Sequence, residues 1–368
     1  MKKRIAKNME WSILICTILL VVIGLFAIYS ANYSVSSDEF VKQIVWIAIS
    51  IPFLVAFIMV DYDLISKISP VLYVLILGAL VGVLFTTPIS GATSWFTFGN
   101  FSIQPSEFAK VFVILFLALA MSMIKRRGPK EINRPTRLLI ILAIMAVPLL
   151  LIVKQPDYGT AMAFMFAFIF MLFTGGLGKR YIIPAVLILI IAVPLLYAFV
   201  LPEHAKKRLD VFMNPELDPR GSGYNLTQSK LAIGAGELLG MGYLKGNQTQ
   251  LGFLYPKSTD FIFSVIGEEM GFIIAAVVIV LYVILITKIL QVSKTAKDDL
   301  GSLICAGIAG IFLFHMIENI GMTMGLLPIT GVPLPFVSYG GSSMLSNFLL
   351  IALVLNISGR RQRAIFMG

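Results

Sequence analysis

Long apolar segments follow one another along almost the whole of this 368-residue chain. A helix needs about 20 apolar residues to cross the roughly 30 Å hydrocarbon core of a bilayer. Hydrophobic residues make up 58% of the chain and charged residues only 13%, proportions that ordinary soluble domains do not reach. The sequence therefore predicts a single polytopic, all-α integral membrane domain over residues 1–368.

We place about ten transmembrane helices along this domain. Their approximate bounds are 11–30, 44–60, 70–87, 105–124, 137–153, 160–176, 181–201, 260–287, 301–324 and 340–358. The first span follows several lysines and an arginine, but it is longer than the apolar region of a signal peptide, so we expect it to be retained. A large extracytoplasmic loop, 202–259, is predicted between helices 7 and 8, with a short interfacial helix over 225–239.

The distribution of basic residues predicts how these spans are oriented. Short cytoplasmic loops carry an excess of Lys and Arg. With ten spans, the loops on the side of the two termini hold nearly all the basic residues of short loops, whereas the opposite set offers only Lys42 and Lys154. Both termini are therefore predicted to be cytoplasmic. This bias also explains the net charge of +10, so nucleic acid is not an expected partner.

Several common chemistries have no signature in the chain. Cys16 and Cys305 lie far apart within apolar runs, as small core residues do. There is no phosphate-binding glycine loop, zinc motif or nucleophile elbow, so the sequence offers no support for nucleotide-driven chemistry.

Carboxylates stand at the outer entrance of the eighth span, where ionisable groups are costly and usually mark a site. Asp260 lies at the entrance, and Glu268 and Glu269 follow about two turns deeper. At 100° per residue, Asp260 and Glu268 differ by about 80° and are predicted to line one cavity. Asp260 also suits a helix N-cap, and the residue alone does not decide between cap and catalyst.

Charged residues also begin the fourth span and connect the fifth and sixth. Glu107 and Lys110 are three residues apart, which allows either an ion pair within the helix or a charged wall of a substrate site. Asp157 is expected to cap the sixth helix. Lys154 is less easily explained, because short outer loops otherwise contain few cations.

A polar face and an irregular segment follow near the carboxyl end. His315, Glu318 and Asn319 share one face of the ninth span, where an interhelical hydrogen-bond network is favoured over a metal site. The run 325–343 is rich in Gly and Pro and is not a plain helix. Such backbone persists at membrane depth only against protein or a watery cavity, so we expect a cavity or a packed re-entrant loop.

These motifs, taken in order, resemble the SEDS family (shape, elongation, division and sporulation proteins). The strongest resemblance is the run NIGMTMGLLPITGVPLPFVSYGGSS over 319–343. QPSE at 104–107, QPDYGT at 155–160, QSKLAIG at 228–234, and TDFIF with EEMGF over 259–272 are similar to the family's other marks. Ser94 departs from the pattern, because many relatives have a basic residue just before the tryptophan.

The resemblance implies a bacterial peptidoglycan glycosyltransferase that polymerises lipid II into β-1,4 glycan strands at the outer face of the plasma membrane. Within the family, the compact chain looks most like the elongation member, with the division and sporulation members as close rivals. Asp260 is then the expected general base. The expected substrate-binding residues are Glu107, Lys110, Lys154, Arg208, Gln228, Lys230 and Glu268. The resemblance also suggests a divalent cation, Mg²⁺ or Mn²⁺, bound by Asp260 or Glu107, although the base role ranks above the ligand role.

Two further expectations come with this reading. The implied partner is a class B penicillin-binding protein, a transpeptidase that cross-links the new glycan. The rival function is a flippase or transporter for a lipid-linked saccharide, because a polytopic protein with intramembrane charge and a broken segment suits both. Sequence physics alone leaves the two nearly even, and the family resemblance favours the enzyme.

Overall fold

The computed structural model describes residues 7–33, 38–88, 92–99, 101–128, 130–184 and 203–361. Over these residues it has nine helices long and apolar enough to cross a membrane. They are α1 (Trp11–Asn32), α2 (Asp38–Met59), α3 (Tyr62–Gly82, extended by a 3₁₀ turn Val83–Phe85), α4 (Pro105–Lys125), α5 (Pro135–Lys154), α6 (Tyr158–Gly175), α10 (Ile262–Lys294), α11 (Asp299–Thr323) and α12 (Gly341–Arg360). The predicted all-α membrane fold is confirmed, and the predicted seventh span lies outside the described residues from 185 onward.

Two spans begin earlier than predicted because acidic residues start them. Asp61 caps α3, where its carboxylate accepts a hydrogen bond from the backbone N–H of Asp63 at 3.0 Å. Asp38 and Glu39 lie in the first turn of α2, where negative charge favours the positive end of the helix dipole.

The centre of the bundle is formed by the last two helices. In the apolar stretch of α12, 94% of the residues are buried, and in α11 78% are buried, against 17% in α2. α11 packs against α4, α6, α10 and α12, whereas α2 turns most of its surface outward. The polar residues of α11 and α12 are therefore enclosed by protein rather than by lipid.

The segment from 203 to 261 contains three short helices. They are α7 (Glu203–Met213), α8 (Ser222–Ala235) and α9 (Asn247–Gln250), with a 3₁₀ turn at Pro215–Leu217. α8 confirms the predicted helix, although it ends before 239 because Glu237 and Gly240 have positive φ angles of 45° and 84°. A small antiparallel hairpin, β1 (Phe96–Phe98) and β2 (Phe101–Ile103), precedes α4 and was not predicted.

α10 is broken at Gly271, which has φ 76° and ψ −177°. Residues 237–242 lie against the break and replace the lost helical hydrogen bonds. Phe272 N–H donates to the Glu237 carbonyl at 2.9 Å, and Met241 N–H donates to the Glu268 carbonyl at 2.9 Å. The short half-helix 262–270, which begins two residues after Asp260, is thus fixed to the loop after α8.

Candidate functional site

Asp260 stands just before α10 and does not cap it. The N-cap residue is Phe261, and no side chain makes a capping hydrogen bond there. Burial raises the pKa of Asp260 to about 6, although a hydrogen bond from the Thr259 side chain and the nearby Arg208 guanidinium oppose the rise. The residue is half-buried, so Asp260 is not fully enclosed by protein. Of the two readings that the sequence left open, the structure removes the cap.

The backbone around Asp260 is held by the 325–340 segment and by α11. Asn319 donates from Nδ2 to the carbonyl of Asp260 at 3.0 Å and to that of Val332 at 2.8 Å. The Ser338 hydroxyl donates to the Thr259 carbonyl at 2.7 Å, and Tyr339 N–H donates to Ser258 O at 2.9 Å. Residues 334–338 are buried, which confirms a packed irregular loop.

The same segment approaches the carboxylate of Asp260 at Gly331. This glycine has φ 76°, and a Cβ added there would lie 3.4 Å from Asp260 Oδ2. Thr330 donates from its hydroxyl to Glu318 Oε1 at 2.7 Å. Arg208 Nη1 lies 3.4 Å from the carbonyl oxygens of both Ile329 and Thr330. Residues 329–331 therefore lie between an exposed guanidinium and the carboxylate of Asp260.

α8 brings a second cation to the beginning of this segment. Lys230 is exposed, and its aliphatic chain lies against Gly325, where an added Cβ would be 3.0 Å from Lys230 Cδ. Gln228 is half-buried on the same helix. The Ser229 hydroxyl donates to the Thr323 carbonyl at 2.7 Å, which fixes α8 to the end of α11.

Glu268 does not line a cavity with Asp260. It has 0% exposure and accepts hydrogen bonds from the N–H groups of Gln248 and Thr249, at 2.7 and 3.0 Å, and from the Thr249 hydroxyl at 2.6 Å. Glu269 likewise binds the loop, accepting from Gln250 Nε2 at 2.8 Å. The helical-wheel expectation was wrong because Asp260 precedes the helix, and Glu268 instead caps α9.

Glu107 and Lys110 form the ion pair within the helix that their spacing allows. Lys110 Nζ lies 2.8 Å from Glu107 Oε2, with 0% and 3% of the two side chains exposed. Ser346 donates to the same carboxylate at 2.8 Å, and Lys110 Nζ lies 3.4 Å from His315 Nε2. The pair is enclosed between α4, α11 and α12, so it forms no open charged wall.

Asp157 caps α6, as its position predicts. Its carboxylate accepts from Thr160 N–H at 3.1 Å and from Gln104 Nε2 at 3.1 Å, which joins the QPSE and QPDYGT motifs. Burial raises the pKa of Asp157, and the Thr160 hydrogen bond opposes the rise. Lys154 is exposed in the last turn of α5, close by in the chain.

Glu107, one of the two predicted metal ligands, is not free to bind a metal ion. Across the described part of the chain, no three His, Cys, Asp or Glu side chains are grouped as metal ligands would be. Glu107 is already occupied by Lys110 and Ser346, and His315 Nδ1 lies 3.0 Å from the Pro333 carbonyl. A divalent cation, with Asp260 as its other predicted ligand, stays a prediction of the family resemblance.

Known proteins match this chain along nearly its whole length. Residues 10–363 match the model of the FtsW/RodA/SpoVE family, described as "Cell cycle protein". Peptidoglycan glycosyltransferase RodA of Treponema pallidum (strain Nichols) is 31% identical, over 98% of this chain and 100% of the relative. Peptidoglycan glycosyltransferase MrdB of Escherichia coli (strain K12) is 35% identical, over 94% of each.

A solved structure has the same fold. It is described as "Structural coordination of polymerization and crosslinking by a peptidoglycan synthase complex". One of its chains is 25% identical to this chain and superimposes with a TM-score of 0.83, over 95% of this chain and 97% of that chain.

Proposed function

The chain belongs to the SEDS (FtsW/RodA/SpoVE) family of cell cycle proteins, and on that premise we propose that it is a peptidoglycan glycosyltransferase that polymerises lipid II during cell elongation. The names of its relatives support this activity, and one of them is RodA itself. The observation that carries the proposal is Asp260: a half-buried carboxylate, free of any capping role, beside an irregular segment and two helices with exposed cations.

In the proposed reaction Asp260 is the general base. The 4-hydroxyl of the acceptor GlcNAc attacks C1 of the donor MurNAc, and its proton passes to the Asp260 carboxylate. The new O4–C1 bond forms as the bond from C1 to the diphosphate oxygen breaks, and the electron pair leaves with the diphosphate. One displacement inverts the α-linked donor to a β-1,4 glycan. A base with a pKa of about 6 is mostly ionised at neutral pH and still accepts a proton effectively.

The departing diphosphate needs preorganised positive charge. Arg208 and Lys230 are the proposed cations, because both are exposed and flank the 325–340 segment. Lys154 is proposed as a third, from its exposure and its motif, and Gln228 as a polar contact. Lys110 and Glu107 have no access to substrate in this arrangement, so their contribution is to hold the site together.

We place this site on the extracytoplasmic side, with both termini in the cytoplasm. Gln104 binds Asp157, and Asn319 binds both Asp260 and Val332. Gly159, two residues after Asp157, lies against Val332, so these motifs share one end of the bundle. Ion pairs such as those of Lys125 and Arg361 lie at the other ends of the same helices. The excess of basic residues at that second end supports its cytoplasmic assignment.

A class B penicillin-binding protein is the proposed partner. The similar solved structure is described as a complex that coordinates polymerization with crosslinking. A cross-linking transpeptidase would bind the glycan strand close to the site of its synthesis. The surfaces of this chain that it would contact are the membrane helices and the 203–261 segment.

The deciding experiment gives purified protein fluorescent lipid II and separates the products on a gel. We expect a glycan ladder from the wild type and at least a 100-fold lower rate from Asp260→Asn. Asp299→Asn, at the opposite end of the bundle, is the matched control and should keep the wild-type rate. A full ladder from well-folded Asp260→Asn would disprove the base role, and lipid movement across vesicles without polymer would favour the flippase.

A further inference from the structure

One face of α11 holds the 325–340 segment at three successive points. Glu318 accepts from the Thr330 hydroxyl, Asn319 donates to the Val332 carbonyl, and His315 Nδ1 lies 3.0 Å from the Pro333 carbonyl. The sequence predicted a network between helices from this face. The structure shows that most of its bonds instead reach irregular backbone beside Asp260.

We propose that His315 is a positioning residue for Asp260, and that Lys110 fixes the tautomer of the His315 imidazole. This inference rests on the proposed function, because it concerns the geometry of the proposed base. His315 touches neither Asp260 nor an open site. It acts through the backbone of residues 331–333.

The hydrogen-bond partners of His315 determine where its proton lies. A carbonyl oxygen only accepts, so the Pro333 contact requires hydrogen on Nδ1. The ammonium group of Lys110 only donates, so the contact at 3.4 Å requires a lone pair on Nε2. Glu107 holds Lys110 in place at 2.8 Å. The two contacts select the same neutral tautomer, and each supports the other.

The Pro333 carbonyl is connected to Asp260 by a short stretch of backbone, residues 331–333. Pro333 follows Val332, whose carbonyl shares the Asn319 amide with the carbonyl of Asp260. One residue earlier, Gly331 lies against the carboxylate itself. A shift of this backbone away from α11 would admit water to Asp260 and misalign it.

This arrangement also explains why a charged pair is kept in the bundle core. Burying Lys110 and Glu107 costs desolvation free energy that their attraction does not always recover, so such a pair is weak evidence for stability alone. Here the Lys110 ammonium group also donates a hydrogen bond to His315. The Glu107–Lys110 pair is thereby linked to the proposed base through the His315 imidazole and the backbone of residues 331–333.

The test measures polymerisation rate against pH for the wild type, His315→Leu, His315→Gln and Asp260→Asn. Leucine removes both hydrogen bonds, so we expect kcat to fall at least tenfold. We also expect the acidic limb of the profile to move down by at least half a pH unit as Asp260 becomes hydrated. Glutamine can donate to Pro333 and accept from Lys110, so it should restore both the rate and the limb. The charged groups around His315 and Asp260 are Arg208, Glu318, Lys110 and Glu107. Every variant leaves these four unchanged, and only Asp260→Asn removes a charge of its own.

The outcomes separate the possibilities. Suppose that the acidic limb of His315→Leu lies at the wild-type pH and that its rate is lowered only in proportion to the folded fraction. If Asp260→Asn is inactive in the same assay, this result would overturn the positioning role. Wild-type protein without any ladder would contradict the proposed function itself. His315→Asn is polar but too short to reach both partners, so it should show the same shift as leucine and serves where His315→Leu does not fold. A wild-type limb in a folded His315→Asn enzyme would also overturn the role.

Discussion

The two ends of the helical bundle are held together by different kinds of interaction. At the end opposite Asp260, partly exposed ion pairs join one helix to another: Lys125 with Asp299 at 2.6 Å, Arg361 with Glu10 at 2.8 Å, and Arg360 with Asp61 at 3.4 Å. At the Asp260 end, carboxylates mostly bind backbone N–H groups and hydroxyls, as Glu268 does at the start of α9 and Asp157 at the start of α6. The first arrangement needs only charges of opposite sign, whereas the second needs particular atoms at particular places.

The largest effect on stability should come from separating the buried pair at the Asp260 end. Lys110→Met leaves Glu107 charged and enclosed, and breaking a buried pair in this way costs about 3–5 kcal/mol. The double variant Lys110→Met/Glu107→Leu removes both charges and should recover most of that loss. Equilibrium unfolding in detergent measures both. Equal losses in the single and double variants would mean that the pair contributes by packing rather than by charge.

The next largest effect should come from the close packing of the loop after α8 on the broken helix. A Cβ at Gly236 would lie 1.8 Å from the Gly267 carbonyl oxygen, so Gly236→Ala forces the backbones apart at a cost of about 1–3 kcal/mol. Gly234, two residues earlier, has no atom within 4 Å of an added Cβ. Gly234→Ala is therefore the matched control and should be neutral or slightly stabilising. If both variants unfold alike, the close approach of Gly236 to Gly267 does not set stability.

A smaller effect should appear in the pH dependence of polymerisation. Asp260 must be ionised to accept a proton, so the rate should fall about tenfold per pH unit below a pKa of about 6. Arg208 favours the ionised form, so Arg208→Gln should raise the pKa and move the acidic limb to higher pH. A rate profile measured from pH 4.5 to 8 tests the direction. A limb that moves to lower pH in this variant would mean that Arg208 does not act on Asp260 by charge.

The sequence predicted the helices well because lipid sets their length and composition. It also singled out Asp260 as a candidate, since a carboxylate beside an apolar span is costly. The structure excludes its role as a helix cap, and its role as the base stays a prediction. The break at Gly271 was missed, because a single glycine in an apolar run does not reveal which backbone replaces its hydrogen bonds. That partner, residues 237–242, lies about thirty positions earlier in the chain.

The roles of the other polar residues depended on contacts that spacing does not encode. Glu268 has the spacing of a residue on a cavity wall, yet it binds the amides of Gln248 and Thr249. His315 faces both a lysine from α4 and the carbonyl of Pro333. Helical periodicity gives the direction of a side chain around its own helix, but not the loop that comes to meet it.

The smallest effect should come from the opposite end of the bundle. Lys125→Ala removes the ion pair with Asp299, whose carboxylate is 47% exposed, and water stabilises the charge that remains. Exposed pairs contribute about 0–1 kcal/mol, and salt screens them further. Unfolding of this variant in low and high salt should therefore differ little from the wild type, and its polymerisation rate should be unchanged. A loss as large as that of Lys110→Met would mean that this end also depends on specific buried geometry, and the contrast between the two ends would fail.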